Sequence, residues 1–378
     1  MLHRELTASG LNDAVLLDLL RMEHQLGVLS VFVEMPADGA DRRPEIETKN
    51  KLTNLERRAG GSGSVLRAAA LRSTVALVTP ALERLFDPSA SGRGGAVFAA
   101  LGGPEVISLA TPMPLASRVV LDSRPFIRPL LELLDEAEPA GVVLTSAREA
   151  ELLDWRLGAL RCLTRVTREP EEKHGQTTTP HDQRARRERD RQLRWSEDVA
   201  ADVARLAGEH GWARLLISGA ERLTGPLLDA LPVHLRASAL HDARQLHEND
   251  QPALAAAVAE RLGQDRAGRD ARLTRRMRAS ALGAQRGALG RSEVVAALNE
   301  RRAEHTIYDF ALRYSGAIAP DGSLLAAGEA PGLGKEEPRH LERILERAFH
   351  TGARITPVDG SAADNLADAS GIAALLRW

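Results

Sequence analysis

A chain of 378 residues is two to three times the usual domain length, so two or three domains are expected. Its 43% apolar and 27% charged residues exclude a disordered or fibrous polymer. Fifty basic residues against 52 acidic ones exclude a uniformly basic nucleic-acid coat, so an RNA-binding surface must come from local clustering.

In chain order, residues 1–22 are charged throughout and lack the apolar core of a signal peptide. No run of about 18 uncharged apolar residues occurs anywhere, so the expectation is a cytoplasmic chain with no membrane span. Residues 11–26 are apolar at helical spacing, and Leu29-Ser-Val-Phe-Val33 after Gly27 predicts a short strand. Residues 45–85 predict two helices parted by Gly60-Gly-Ser-Gly63. A glycine-rich turn at 89–95 leads into a strand at 96–99, with short strands at 106–109 and 118–121 and a helix at 125–134. Gly141-Val-Val-Leu-Thr145 opens a second unit as a buried strand, continued by 150–153 and 163–167 in an antiparallel sheet. Residues 169–183 are polar, hold two prolines and read as a loop. A long helix over 184–207, ended by Gly208, is followed by a strand at 214–217, a helix at 223–231 and a strand at 234–240. Beyond Asn249, helices at 252–262, 273–282, 292–303 and 338–349 alternate with strands at 306–312 and 353–358, the pattern of an α/β/α sandwich. The expected domains are 1–138, 139–248 and 249–378.

Chemistry concentrates around Lys173-His-Gly-Gln176 and the helix behind it. Between Pro180 and Trp195 six arginines face three acids, and Arg184, Arg187, Arg191 and Arg194 recur at helical spacing, a stripe able to follow a phosphate backbone. The competing reading is a solvated helix laced with ion pairs one turn apart. Gly175-Gln176 alone is a weak signal, since Gly263-Gln264 repeats it inside a helix; its place in a polar loop before a basic helix sets it apart. Other motifs fail on spacing. Residues 328–335 lack the glycine spacing and the Ser/Thr of a phosphate loop, and 89–95 lacks the third glycine of a dinucleotide fingerprint. No Gly-x-Ser-x-Gly elbow occurs. His174, His181 and Asp182 read as loop residues rather than metal ligands, and Cys162, the sole cysteine, forms neither a disulfide nor a multi-cysteine centre. No metal or cofactor is expected. Aromatics are too few for a base-stacking platform.

The order of these segments resembles the archaeal and eukaryotic class-one peptide chain release factors and their Pelota relatives, and is most similar to the bacterial release-factor-like baeRF group. Leu29-Ser-Val-Phe-Val33, residues 54–85 and Gly94-Gly-Ala-Val-Phe98 resemble that family's opening strand, helical hairpin and returning strand. Val119-Val-Leu-Asp-Ser-Arg-Pro-Phe126 through Leu134 resembles the segment leading into its middle domain. Lys173-His-Gly-Gln176 falls where the family carries Lys-His-Gly-x-Gly-Gly-Gln. Gly352-Ala-Arg-Ile-Thr356 and Gly371-Ile-Ala-Ala-Leu-Leu-Arg377 resemble its closing strands, the last being the most specific match.

The resemblance implies an α/β multidomain fold: a release-factor-like first domain, a ribonuclease H-like middle domain with a mixed sheet, and a last α/β/α sandwich like the kink-turn-binding ribosomal proteins. It implies a ribosome rescue or termination protein that promotes peptidyl-tRNA ester hydrolysis in the ribosomal A site. Gln176, Gly175 and His174 would form the catalytic tip, and Lys173, Arg184, Arg187, Arg191 and Arg194 would contact RNA. Implied partners are the ribosome, tRNA and ribosomal RNA, with a translational GTPase or a splitting ATPase through the C-terminal domain. Two departures matter. His174 stands where the first glycine of the triplet would be, and the stop-codon-reading motifs are not recognisable near Lys49–Thr53 or Val119–Phe126, which points to rescue rather than decoding. The alternatives are a Pelota-like factor that binds without hydrolysis, a tRNA-cleaving nuclease on the same scaffold, and a fold relative with no ribosomal role.

The loop chemistry has its own logic. Ester hydrolysis needs a placed water and a donor for the developing oxyanion or leaving hydroxyl. Where RNA supplies most of that chemistry, the protein need only deliver a small tip. Glycine permits close backbone approach, and glutamine adds an N–H donor and a neutral amide.

Overall fold

The computed structural model describes residues 2–7, 10–35, 41–61, 64–87, 89–90, 92–136, 138–168, 181–244, 246, 250–283, 286–326 and 334–378, with the backbone alone at 7, 136 and 181–185. These fall into two compact units, 1–136 with 266–378, and 137–265. The fold is a mixed α/β multidomain one, as expected.

The N-terminal sheet of the first unit holds β1 (Leu2–Thr7), β2 (Val28–Glu34), β3 (Gly94–Ala100), β4 (Glu105–Thr111) and β5 (Arg118–Asp122) in the order β1-β4-β3-β2-β5. Only β1 and β4 run parallel. Strand alternation divides β2 between two faces. Leu29, Val31 and Val33 join one apolar cluster with Leu52 of a helix at Arg43–Gly61 and Leu71, Val78 and Leu82 of a helix at Val65–Leu85. In the alternate register, Phe32 meets Phe98 and Phe126 edge-to-face at 5.7 and 6.0 Å, and Ser30 Oγ accepts from the Phe126 amide at 3.0 Å. Each such ring pair adds about 0.5–1.5 kcal/mol beyond its buried area. With the short helix Asp13–Leu20, capped by the Asn12 side chain, these helices are α1, α2 and α3. Helix α3 is long and apolar enough by composition to cross a bilayer, yet it carries Arg67, Arg72, Glu83 and Arg84, and its Leu71, Val78 and Leu85 are buried in the cluster beside the sheet. Strand β1 has no strong pattern of its own; pairing with β4 creates it.

The second unit holds β6 (Ala140–Thr145), β7 (Glu149–Arg156), β8 (Ala159–Thr167), β9 (Arg214–Ser218) and β10 (Ala239–Asp242) in the order β10-β9-β6-β7-β8. Strands β6 to β8 form an antiparallel meander, while β9 and β10 run parallel to β6, the mixed sheet expected of a ribonuclease H-like domain. Gly141 is obligatory in β6, because a Cβ there would lie 2.2 Å from the Trp212 ring, whose Nε1 donates to Asp154 at 2.7 Å. After α4 (Arg128–Glu136), the helices here are α5 (His181–His210), α6 (Glu221–Ala230) and α7 (Val233–Ala237). Two expectations are corrected. Helix α5 runs through Gly208 and ends at His210, where Gly211 takes φ +66. A mid-helix glycine costs only about 1 kcal/mol, less than burial of Val203, Leu206 and Ala207 returns. The strand expected at 234–240 is instead α7 followed by β10, because only residues 239–242 find register beside β9.

The C-terminal part of the first unit has β11 (Gly287–Leu289), β12 (Ala303–Asp309), β16 (Arg354–Val358) and β17 (Ile372–Leu376) in the order β11-β17-β12-β16. A small sheet of β13 (Gly316–Ile318), β14 (Leu324–Leu325) and β15 (Lys335–Glu337) interrupts the chain between β12 and the helix after it. Helix α8 (Gln251–Leu282) contributes Ala271 and Met277 to a cluster with Ile307, Val358 and Ala373, joined by Ala362 of α11 (Gly360–Asp364). Helices α9 (Arg291–Asn299) and α10 (His340–His350) also pack against this sheet, α9 on β17 and α10 on β16, completing the sandwich. The two helices expected at 252–262 and 273–282 are one. Its glycines at 263 and 268 keep the 3.6-residue repeat, and Leu254 and Val258 pack with Val142, Leu153 and Leu216 in the other unit's core. Gly371, with φ +68, opens β17, where a Cβ would come within 3.0 Å of Leu312.

Candidate nucleic-acid interface

Helix α5 is amphipathic over its C-terminal two-thirds. Trp195, Val199, Val203 and Leu206 recur at three- and four-residue steps and are buried with Val143, Leu152 and Ile217 of the sheet. Before Trp195 that pattern stops, and residues 186–190 are exposed on every side. Arg186, Arg187, Arg189 and Arg194 are solvent-facing there. The helix therefore has a rooted end and a projecting, arginine-rich end.

The projecting end is braced to the sheet. Arg168, just past β8, donates from Nη2 to Glu188 Oε1 at 2.5 Å, and Arg191 donates to Glu188 Oε2 at 2.6 Å. The Arg168 amide also donates to the Arg148 carbonyl at 2.7 Å, anchoring the strand's last turn. Burial pushes the Glu188 carboxyl up, but the hydrogen bonds from Arg168 and Arg191 outweigh it and hold the group below the usual carboxylate range. Glu188 thus ties together the two flanks of the segment 169–180. Beside this brace lies an open groove of about 690 Å³, bounded by Arg168, Glu188, Arg189, Leu193, Arg222 and Pro226.

Of the sequence-predicted site residues, Arg187 and Arg194 are exposed on α5 and Arg191 is partly exposed and paired with Glu188. Arg184 belongs to the helix, its side chain outside the description. Lys173, His174, Gly175 and Gln176 lie outside the described residues. The brace formed by Arg168 and Glu188 had not been anticipated; its only sequence signal was an arginine directly after a predicted strand and an acid within an arginine run.

Strongly perturbed groups elsewhere are structural. Arg343 of α10, 5% exposed, donates to Glu346 at 2.6 Å and Glu337 at 3.1 Å and lies 2.6 Å from Asp122. Burial lowers its affinity for a proton, but Glu346 and Asp122 more than restore it. Burial raises the Glu346 carboxyl in turn, against the pull of Arg343 and Arg124. Arg128 of α4 donates to Glu132 at 3.0 Å, to the Leu312 carbonyl at 2.9 Å and to the Phe310 carbonyl, beneath the Tyr308 ring. These closed networks join α4, β5 and α10 within one unit. Among the described residues no three His, Cys, Asp or Glu side chains converge as metal ligands.

Residues 125–267 match the model of bacterial archaeo-eukaryotic release factor family 10, which makes this middle segment translation release-factor-like. No protein of curated function matches the chain. Among solved structures, the archaeal translation termination factor aRF1 is 16% identical, covers 99% of both chains and has a TM-score of 0.28. Pelota from Archaeoglobus fulgidus is 15% identical over 75% of this chain and 79% of its own, with a TM-score of 0.36. Dom34 of S. cerevisiae is 8% identical over 72% and 73%, with a TM-score of 0.41. Superpositions this loose leave the functional reading to the chain's own residues.

Proposed function

We propose that the chain is a cytoplasmic ribosome-rescue factor that enters the A site and promotes hydrolysis of the peptidyl-tRNA ester. Gln176 positions water or offers its N–H to the developing oxyanion, Gly175 permits the backbone shape, and His174 shapes the tip. Lys173, Arg184, Arg187, Arg191 and Arg194 contact tRNA or ribosomal RNA phosphate. In this reading residues 139–248 are the working domain, between an N-terminal domain at 1–138 and a C-terminal one at 249–378, through which a translational GTPase or a splitting ATPase acts.

The observation that carries the reading is the family-model match over 125–267, a segment that contains both the Lys173–Gln176 motif and the projecting end of α5. Exposed arginines beside the Arg168–Glu188–Arg191 brace are a suitable scaffold for holding residues 173–176 against RNA. The test is peptide release from purified stalled ribosome–nascent-chain complexes. Gln176→Ala should lower release roughly 10²- to 10³-fold while ribosome binding persists. Release at the wild-type rate would remove the catalytic assignment.

One observation favours a second reading. His174 occupies the place of the triplet's first glycine, and a Cβ there restricts φ. A Pelota-like factor that binds without hydrolysis would co-sediment with ribosomes and produce no deacylated tRNA.

A further inference from the structure

We propose that Arg272, Arg275 and Arg276 of α8 form a second RNA-contacting surface, separate from α5, that binds the phosphate backbone of structured RNA. Between residues 266 and 282 the helix carries six arginines and a single acid, Asp270. Asp270, Ala271, Thr274 and Met277 are buried, and Ala271 and Met277 belong to the C-terminal core. That spacing turns residues 272, 275 and 276 outward, and all three are exposed.

Their charges are uncompensated. Arg278 is paired with Asp368 and the Asn365 carbonyl, but none of the three outward arginines has an ion pair or hydrogen bond among the described residues. Nor does the sequence place an acid three or four residues from any of them. Instead Arg272 has Arg269, Arg275 and Arg276 at those spacings, an arrangement that destabilises a helix. An exposed helix made only for solubility would alternate signs, as α5 does where Arg205 meets both Asp202 and Glu209. Three like charges kept along about 6 Å of helix axis suit a polyanion, and guanidinium forks match phosphate oxygens. Naming RNA rather than an acidic protein as that polyanion rests on the ribosomal reading above. No aromatic side chain lies among residues 266–282, so the contact is to backbone phosphate and not to bases.

The test compares wild-type protein with the triple variant Arg272→Gln, Arg275→Gln, Arg276→Gln, measuring binding to purified ribosomes and to bulk tRNA between 50 and 200 mM salt. Three phosphate contacts contribute roughly 2–3 to the slope of log K against log salt, so the fourfold salt rise should cost the wild type about 20- to 40-fold more affinity than it costs the variant. The variant's melting temperature should be unchanged or slightly raised, which separates lost contact from lost folding. An unaltered slope with wild-type protein that does bind ribosomes overturns this surface and leaves the ribosomal reading standing. If the wild type fails to bind ribosomes, that reading falls, and the tRNA arm decides the surface: a slope reduced by the substitutions supports it, and an equal slope overturns it.

Discussion

Helices α5 and α8 are both about 30 residues long, both arginine-rich and both packed along one side on a sheet, yet α5 sets acids three or four residues from most of its exposed arginines and the outward row of α8 does not. On α5, Arg191 shares Glu188 with Arg168, and Arg205 is clasped by Asp202 and Glu209. On α8, the outward row at 272–276 has only other arginines for neighbours. Counting arginines ranks the two helices alike; asking where each counter-charge sits does not. A compensated arginine can be explained by solubility and a few tenths of a kcal/mol of helix stability. An uncompensated row calls for a ligand.

The interior of the same unit sharpens the contrast, because a cation that cannot reach water must be neutralised or lose its proton. Arg343 takes the first course. Arg343→Met would leave Glu346, itself buried, without its closest partner and should destabilise the unit by about 3–5 kcal/mol. Thermal unfolding should show a fall of roughly 10 °C, against almost none for exposed Arg275→Met. Equal shifts in the two variants would break the distinction between buried and surface arginines.

His305 takes the second course. Burial, and then the facing Arg354, push its imidazole down to about 4, and its Nε2 sits 3.0 Å from the Thr356 hydroxyl. The unfolded chain therefore takes up this proton near pH 6.5 and the folded chain only near about 4. Its contribution to stability is complete above pH 6.5 and is lost as pH falls toward 4, by about 3 kcal/mol in total. Denaturant titrations at pH 7 and pH 4.5 should show a smaller acid penalty for His305→Gln than for wild type. An identical penalty would mean that His305 is not held neutral.

The smallest expected effect probes α8 directly. Arg272→Glu removes like-charge contacts and creates an attractive pair with Arg276 four residues on, in the favourable orientation. It should stabilise the protein by about 0.5 kcal/mol while weakening RNA binding. A melting temperature that falls would indicate that Arg272 has a structural role.

Much of the architecture was legible in local pattern. Alternation in β2, the division of residues 45–85 into two helices, the buried run of β6 and the closing segment after Gly371 all sit where their residues place them, although α2 runs on through Gly60 and Gly61, expected to lie between the helices. The misjudged places share a cause. Strand β1 exists through pairing with β4, β10 through register with β9, and α8 is continuous because one repeat serves two cores across Gly263 and Gly268. The site was legible in part. The arginine stripe of α5 could be seen from spacing alone, whereas its brace could not, since Arg168 and Glu188 are 20 residues apart and meet only when β8 and α5 are set side by side.

By itself the sequence determined which side of each helix and strand is apolar, where the chain turns, and that its charged residues cluster in a few arginine-rich runs, because these depend on residue type and on steps of two to four residues. Tertiary structure alone decided which of those arginines are spent: Arg343 and Arg128 enclosed by acids and carbonyls, Arg191 held by a shared carboxylate, Arg272, Arg275 and Arg276 left facing water. Some counter-charges lie one turn away, as Glu346 does from Arg343, but others arrive from elements distant in the chain, as Asp122 does to Arg343 and Arg168 to Glu188. A charge's worth depends on the dielectric and partners that folding brings to it.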